Sequence, residues 1–212
     1  MGGKMKKSVS ALLCLFFCFF LSSGCAPTKK SISLPEISGI DQPIVESELP
    51  ESKRTALGLY ITAKEAYEKW KLDPDKIKLL DCRTPEEYAF VGHAPMAHNI
   101  PSKFFSYQYD ADKKEPFLVN NPDFVESVKK KFKTDDTIFV MCRSGGRSAA
   151  SVNALAKGGF KNAYNIIDGF EGDIIKDSGS YFDGKRMRNG WKNSGAPWTY
   201  NLNPKQMYLT GN

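Results

Sequence analysis

The stretch Thr137-Ile138-Phe139-Val140-Met141-Cys142-Arg143-Ser144-Gly145-Gly146-Arg147-Ser148 constrains this chain more than any other. Its first five residues are β-branched or apolar with no polar alternation, the pattern of a strand covered on both faces in a parallel sheet. That strand runs directly into Cys142, and helical periodicity starts at Gly146 and closes at Gly158-Gly159. In an open α/β sheet, ligands collect at the carboxyl ends of strands, so a strand–cysteine–loop–helix unit predicts a site at Cys142. Gly145 and Gly146 let the chain curl so that successive N–H groups converge as an anion-binding nest. The new helix adds its positive end, and Arg143 and Arg147 add full charges.

Each of these features favours a thiolate. A cysteine beside cations or a helix N-terminus can fall from about 8.5 to between about 3.5 and 7.5. Such a cradle suits an anionic sulfur donor and an anionic persulfide, and it needs no neighbouring base in a chain with only two histidines. Two other readings stand beside it: a structural cysteine next to a glycine-rich turn, and a non-catalytic nest that binds an anion or a partner.

From Thr55 onward short apolar runs alternate with helical patterns, which predicts βαβ units: an α/β fold with a mainly parallel central sheet flanked by helices on both faces. Gly58-Leu59-Tyr60-Ile61 reads as a strand. Thr62-Ala63-Lys64-Glu65 has capping-box spacing and opens a helix through Trp70. Residues 77–82 form a second strand, and Thr84-Pro85-Glu86-Glu87 repeats the cap with proline at the first helical position. Residues 97–100 give a short strand, 121–132 a helix, and 163–167 the last clear strand.

Several of these segments carry a resemblance. Leu80-Asp81-Cys82-Arg83-Thr84-Pro85-Glu86-Glu87-Tyr88, residues 92–101, Cys142 through Ser148, residues 159–170 and Gly190-Trp191-Lys192-Asn193-Ser194-Gly195-Ala196-Pro197 resemble single-domain rhodaneses, in the same order, over about residues 57 to 198. The resemblance implies a rhodanese fold and sulfur transfer in two half-reactions. Cys142 would take the outer sulfur of a donor such as thiosulfate, releasing sulfite, and pass it to cyanide, a thiol or a protein acceptor. By the same resemblance, the amides of Arg143, Ser144, Gly145, Gly146, Arg147 and Ser148 line the pocket. Arg143 and Arg147 attract the anion, Asp81 and Arg83 brace the loop, and no cofactor or metal is required. Cysteine phosphatases use a longer loop, with five residues between cysteine and arginine; here four separate Cys142 from Arg147, which ranks phosphatase lowest.

Cys82 stands where such proteins more often carry an aliphatic residue. It reads as a small buried hydrophobe, or as a redox partner of Cys142, since neighbouring strands lie about 5 Å apart. His93 and His98 read as structural. The aromatics around residues 173–189, with Trp191, Trp198 and Tyr200, read as packing of an extension onto the domain, with a partner rim as the alternative.

The N-terminus reads as an export signal. Lys4, Lys6 and Lys7 precede an apolar run at residues 9–21 broken only by Ser10. In a helix this run spans roughly 20 Å, short of the ~30 Å hydrocarbon core, so a signal segment fits better than a membrane span. Leu21-Ser22-Ser23-Gly24-Cys25 resembles a bacterial lipobox, with Ser22 where leucine is more usual. This predicts cleavage after residue 24, lipid on Cys25, and a proline-dotted tether over residues 25–54. The domain then spans 55–200, with a tail at 201–212. The expected location is the cell envelope, facing the periplasm or the exterior, and Ala26 favours the outer membrane where there are two. Removing the signal takes three of 30 basic residues and no acid, leaving 27 against 24. That balance argues against nucleic acid.

Overall fold

The computed structural model describes residues 44–112 and 114–210. The expected signal segment, Cys25 and most of the expected tether lie outside them. In chain order the elements are β1 (Tyr60–Ile61), α1 (Ala63–Leu72), β2 (Ile77–Asp81), α2 (Pro85–Phe90), β3 (Ala97–Asn99), β4 (Lys103–Asp110), β5 (Glu115–Asn120), α3 (Phe124–Lys131), β6 (Thr137–Met141), α4 (Gly146–Lys157), β7 (Ala163–Ile166), β8 (Asp173–Ile174) and β9 (Arg186–Arg188).

β1, β7, β6, β2 and β3 form one sheet in that order, every neighbouring pair parallel. Because side chains alternate across a strand, the central strands feed two cores. Leu79, Phe139, Met141 and Ile166 join Ala66 of α1, Phe170 and Trp191. Leu80, Val140 and Cys142 join Phe124 and Val128 of α3 and Val152 and Leu155 of α4. Helices therefore cover both faces, as the absence of polar alternation in β6 requires. Burying each such Leu or Phe is worth about 1.5–3 kcal/mol.

Both predicted capping boxes are present. Thr62 and Glu65 close one at α1, and Thr84 and Glu87 the other at α2, where Pro85 needs no N–H partner. α4 spans Gly146–Lys157. The segment from Gly190 forms only a short 3-10 turn, Trp191–Asn193, but Trp191 is fully buried and donates Nε1–H to Pro197 O at 2.8 Å.

Structure extends past both expected edges of the domain. Two 3-10 turns, Glu46–Glu48 and Glu51–Lys53, lie within the segment read as tether. Leu49 is buried, and Lys53 O accepts from Asn165 Nδ2 at 3.0 Å. Their sequence is proline-dotted and charged, with Leu49 the one buried apolar anchor, so periodicity gives no sign of them. Within the segment read as a tail, Gln206 O accepts the Asn99 N–H at 2.7 Å, beside the β3 edge, and Tyr208 meets Phe104 with ring centroids 5.4 Å apart.

The antiparallel hairpin β4–β5 is outside the sequence expectation. The short antiparallel pair β8–β9 spans the 173–189 extension. Its aromatics do not pack inward: Tyr181 is 82% exposed, with the Lys185 ammonium over its ring at 3.7 Å.

Candidate active site

β6 carries Cys142 to the carboxyl edge of the sheet, where the chain turns into α4. Gly145 makes that turn possible. Its φ is +100°, and a Cβ there would sit 2.1 Å from Ile167 O, so only glycine fits. The Gly145 N–H then donates to Cys142 Sγ at 3.2 Å. The Ser148 hydroxyl, in the first turn of α4, lies 3.4 Å from Sγ and 2.6 Å from Asn165 Oδ1. Cys142 is only 1% exposed, yet it lines a cavity of about 550 Å³. Cys142 thus stands between the cavity and the start of α4 on one side and the apolar core of Leu80, Val140 and Val152 on the other.

The loop is held from behind. Cys142 O and Arg143 O accept the N–H groups of Phe170 and Glu171 at 2.7 and 2.9 Å. Gly169 allows this approach, since a Cβ on it would meet Cys142 O at 2.5 Å. The Arg83 guanidinium lies 4.1 Å from the Phe170 ring centroid and is paired with Asp81, Nη2 to Oδ2 at 2.6 Å, both fully buried. Burial would lower the Arg83 pKa, but the Asp81 carboxylate outweighs it and raises it. Asp81 and Arg83 therefore reach the cysteine loop through Phe170, as a buried pair in which Arg83 Nη2 also donates to Gly92 O at 2.8 Å.

The two loop arginines are not free cations. Arg147 is gripped by Glu87, Nη1 and Nη2 each 2.6 Å from a carboxylate oxygen, with the side chains 18% and 21% exposed. Burial would raise the Glu87 carboxyl, but the guanidinium prevails and holds it below its ordinary range. Arg143 faces Glu115 of β5 at 3.5 Å, both about two-fifths exposed. From sequence both arginines read as uncompensated positive charge; in the fold, the carboxylates that answer them come from α2 and from the β4–β5 hairpin. Glu87 was visible only as a capping residue. Asn165 had a signal, being a polar residue inside the apolar run of β7, and it is fully buried.

Cys82 follows β2 as Cys142 follows β6. The parallel register pairs Asp81 with Met141, so the two cysteines stand at equivalent next positions and share one core face. Both are free thiols. Cys82 is fully buried, which pushes its thiol well above the ordinary value, with nearby Cys142 adding to the rise. His93 is buried, stacks on Tyr88 at 3.9 Å and places Nδ1 3.1 Å from Tyr88 O. His98 sits edge-on to Phe132, and burial with Lys131 and Lys78 pushes its pKa down to about 4. Neither histidine lines the Cys142 cavity.

Residues 62–174 match the Rhodanese-like domain family. The chain belongs to the rhodanese family. Four strands of its sheet (β2, β3, β6 and β7), its cysteine loop and the Asp81–Arg83 pair fall inside the rhodanese match, and β1 lies just before it. Thiosulfate sulfurtransferase 16, chloroplastic, of Arabidopsis thaliana is 37% identical over 93 residues, 44% of this chain and 70% of that one. An uncharacterized protein of Rickettsia rickettsii is 32% identical over 126 residues, 59% of this chain and 85% of its own. The crystal structure of Rv0390 from M. tuberculosis superposes with a TM-score of 0.53 at 26% identity, covering 66% of this chain and 96% of that one.

Proposed function

We propose that this rhodanese is a sulfurtransferase that carries sulfane sulfur as a persulfide on Cys142 and delivers it to a thiophilic acceptor, a thiol, cyanide or a protein. The observation that carries the reading is Cys142 in the lining of a cavity of about 550 Å³, its Sγ receiving the Gly145 N–H at 3.2 Å. That donor is set by the turn at Gly145, whose φ of +100° against Ile167 O only glycine accommodates. In the first half-reaction Sγ attacks the outer sulfur of the donor, and the donor's S–S bond breaks with its electron pair leaving on the remaining fragment. In the second, the acceptor attacks the outer sulfur of the persulfide and Cys142 is regenerated. The first turn of α4 supplies N–H groups with no intrahelical partner at the place where the transferred sulfur bears negative charge.

The test is turnover of thiosulfate and cyanide to thiocyanate and sulfite by the purified protein. It should be measurable in wild type and lost in Cys142→Ser, and activity surviving that substitution would overturn the reading. We further propose that lipid on Cys25 holds the domain at an envelope membrane. The support is the residue pattern at 4–25.

A further inference from the structure

We propose that the pocket is built for an organic persulfide, a sulfane sulfur carried on a zwitterionic or apolar thiol, in preference to the thiosulfate dianion, and that Glu115 sets this preference. The inference rests on the sulfurtransferase reading of Cys142.

Charge supplies the first argument. The cavity is lined by Lys103, Arg143 and Arg147, and equally by Glu87, Asp110 and Glu115. Arg147 gives both arms to Glu87, and Arg143 is answered by Glu115. A dianion entering this space meets two arginines that are each already answered by a carboxylate, and Lys103 is the remaining cation of the lining. To reach Arg143 it must come up against the Glu115 carboxylate, and like charges at an interface discriminate strongly.

Size and chemistry supply the second. A cavity of about 550 Å³ falls within the roughly 300–1,000 Å³ range of sites for organic ligands, far beyond the need of one five-atom ion. Phe105, Pro116, Phe117 and Leu118 of the hairpin form an apolar wall on which an organic body can lie. On the other side the lining provides what a single sulfur needs, Cys142 and the first residues of α4, Gly146 and Arg147. A persulfide places its one reacting sulfur there and keeps the rest of its structure against the hairpin.

The step balances without any oxidant. Cys142 Sγ forms a bond to the outer sulfur of R–S–SH, and the donor's S–S bond breaks. Its electron pair leaves on the inner sulfur, which takes up the proton released by Cys142 and departs as R–SH.

The experiment compares sulfur loading of the full chain from cysteine persulfide and from thiosulfate, in wild type, Glu115→Gln and Glu115→Asp. In wild type kcat/KM for cysteine persulfide should exceed that for thiosulfate by about tenfold or more, and Glu115→Gln should move the ratio about tenfold toward thiosulfate through the thiosulfate KM. Glu115→Asp, which keeps the charge, should retain the wild-type ratio. A wild-type preference for thiosulfate would overturn the inference. So would a Glu115→Gln ratio unchanged, or a Glu115→Asp shift as large as that of Glu115→Gln, which would trace the effect to hairpin structure. Loading from neither donor would instead overturn the sulfurtransferase reading itself.

Discussion

Replacing Glu87 by Gln removes the carboxylate that receives both arms of Arg147 at 2.6 Å. It preserves side-chain length and an amide oxygen able to accept the Thr84 N–H, so the α2 cap survives. The pair is about one-fifth exposed. Breaking a fully buried pair costs about 3–5 kcal/mol, whereas surface pairs are worth about 0–1 kcal/mol. One guanidinium contact survives on the amide oxygen, and the other meets an NH₂ group that cannot accept. The expected loss is therefore about 2–3 kcal/mol, or roughly 5–10 °C in Tm for a chain of this size. Urea unfolding at neutral pH should show a lower midpoint with an unchanged slope.

The pH dependence follows from the sign of the shift. Glu87 is held below its ordinary value of 4.5 in the folded protein. Its contribution is therefore complete above 4.5 and is lost as the pH falls through the lower folded value. The Gln variant has no such group, so the stability gap should close on acidification. A loss under about 0.5 kcal/mol, the size of an exposed pair, or a gap that persists in acid, would refute the claim that this pair anchors the pocket wall.

Three further expectations are equally direct. Gly145→Ala must relieve a 2.1 Å contact with Ile167 O at φ +100°, so it should cost at least about 1–2 kcal/mol of stability in the backbone alone and lower sulfur transfer at least tenfold as the amide moves off Sγ. Alkylation of the native protein should label Cys142, which lines the cavity, faster than Cys82, which does not and whose thiol is pushed up by burial, until denaturant exposes both; equal labelling of both in the native protein would contradict the placement of Cys82. Fatty-acid labelling and membrane sedimentation in the host should both be lost in Cys25→Ser, and sedimentation unchanged by that substitution would remove the lipid anchor.

Legibility from sequence followed the kind of force that forms each element. α1, α2 and α4 are announced by their own termini: Thr62 with Glu65, Thr84 with Glu87, and the Gly145-Gly146 and Gly158-Gly159 pairs. β6 is announced by an unbroken apolar run, because both faces are covered, and β2 by Ile77, Leu79 and Leu80 around Lys78. The β4–β5 hairpin has neither signal. Its register slips between Phe105 and Tyr109, Tyr107 adopts φ +58°, and its side chains are half-buried or exposed on no strict period. The same blind spot hid Glu115, and with it the charge balance of the pocket. The cysteine loop was legible because glycine and cysteine positions there are dictated by close approach. The partners of Arg143 and Arg147 were not, because ion pairs between distant segments leave no local pattern.

The central claim is that Cys142 is the atom that carries sulfur. Incubating the purified protein with a sulfane donor, digesting it without reductant and weighing the fragments tests this most directly. The account predicts a gain of one sulfur on the peptide bearing Cys142, removed by an added thiol and absent in Cys142→Ser. Sulfur appearing on the Cys82 peptide instead, or on neither, would contradict it.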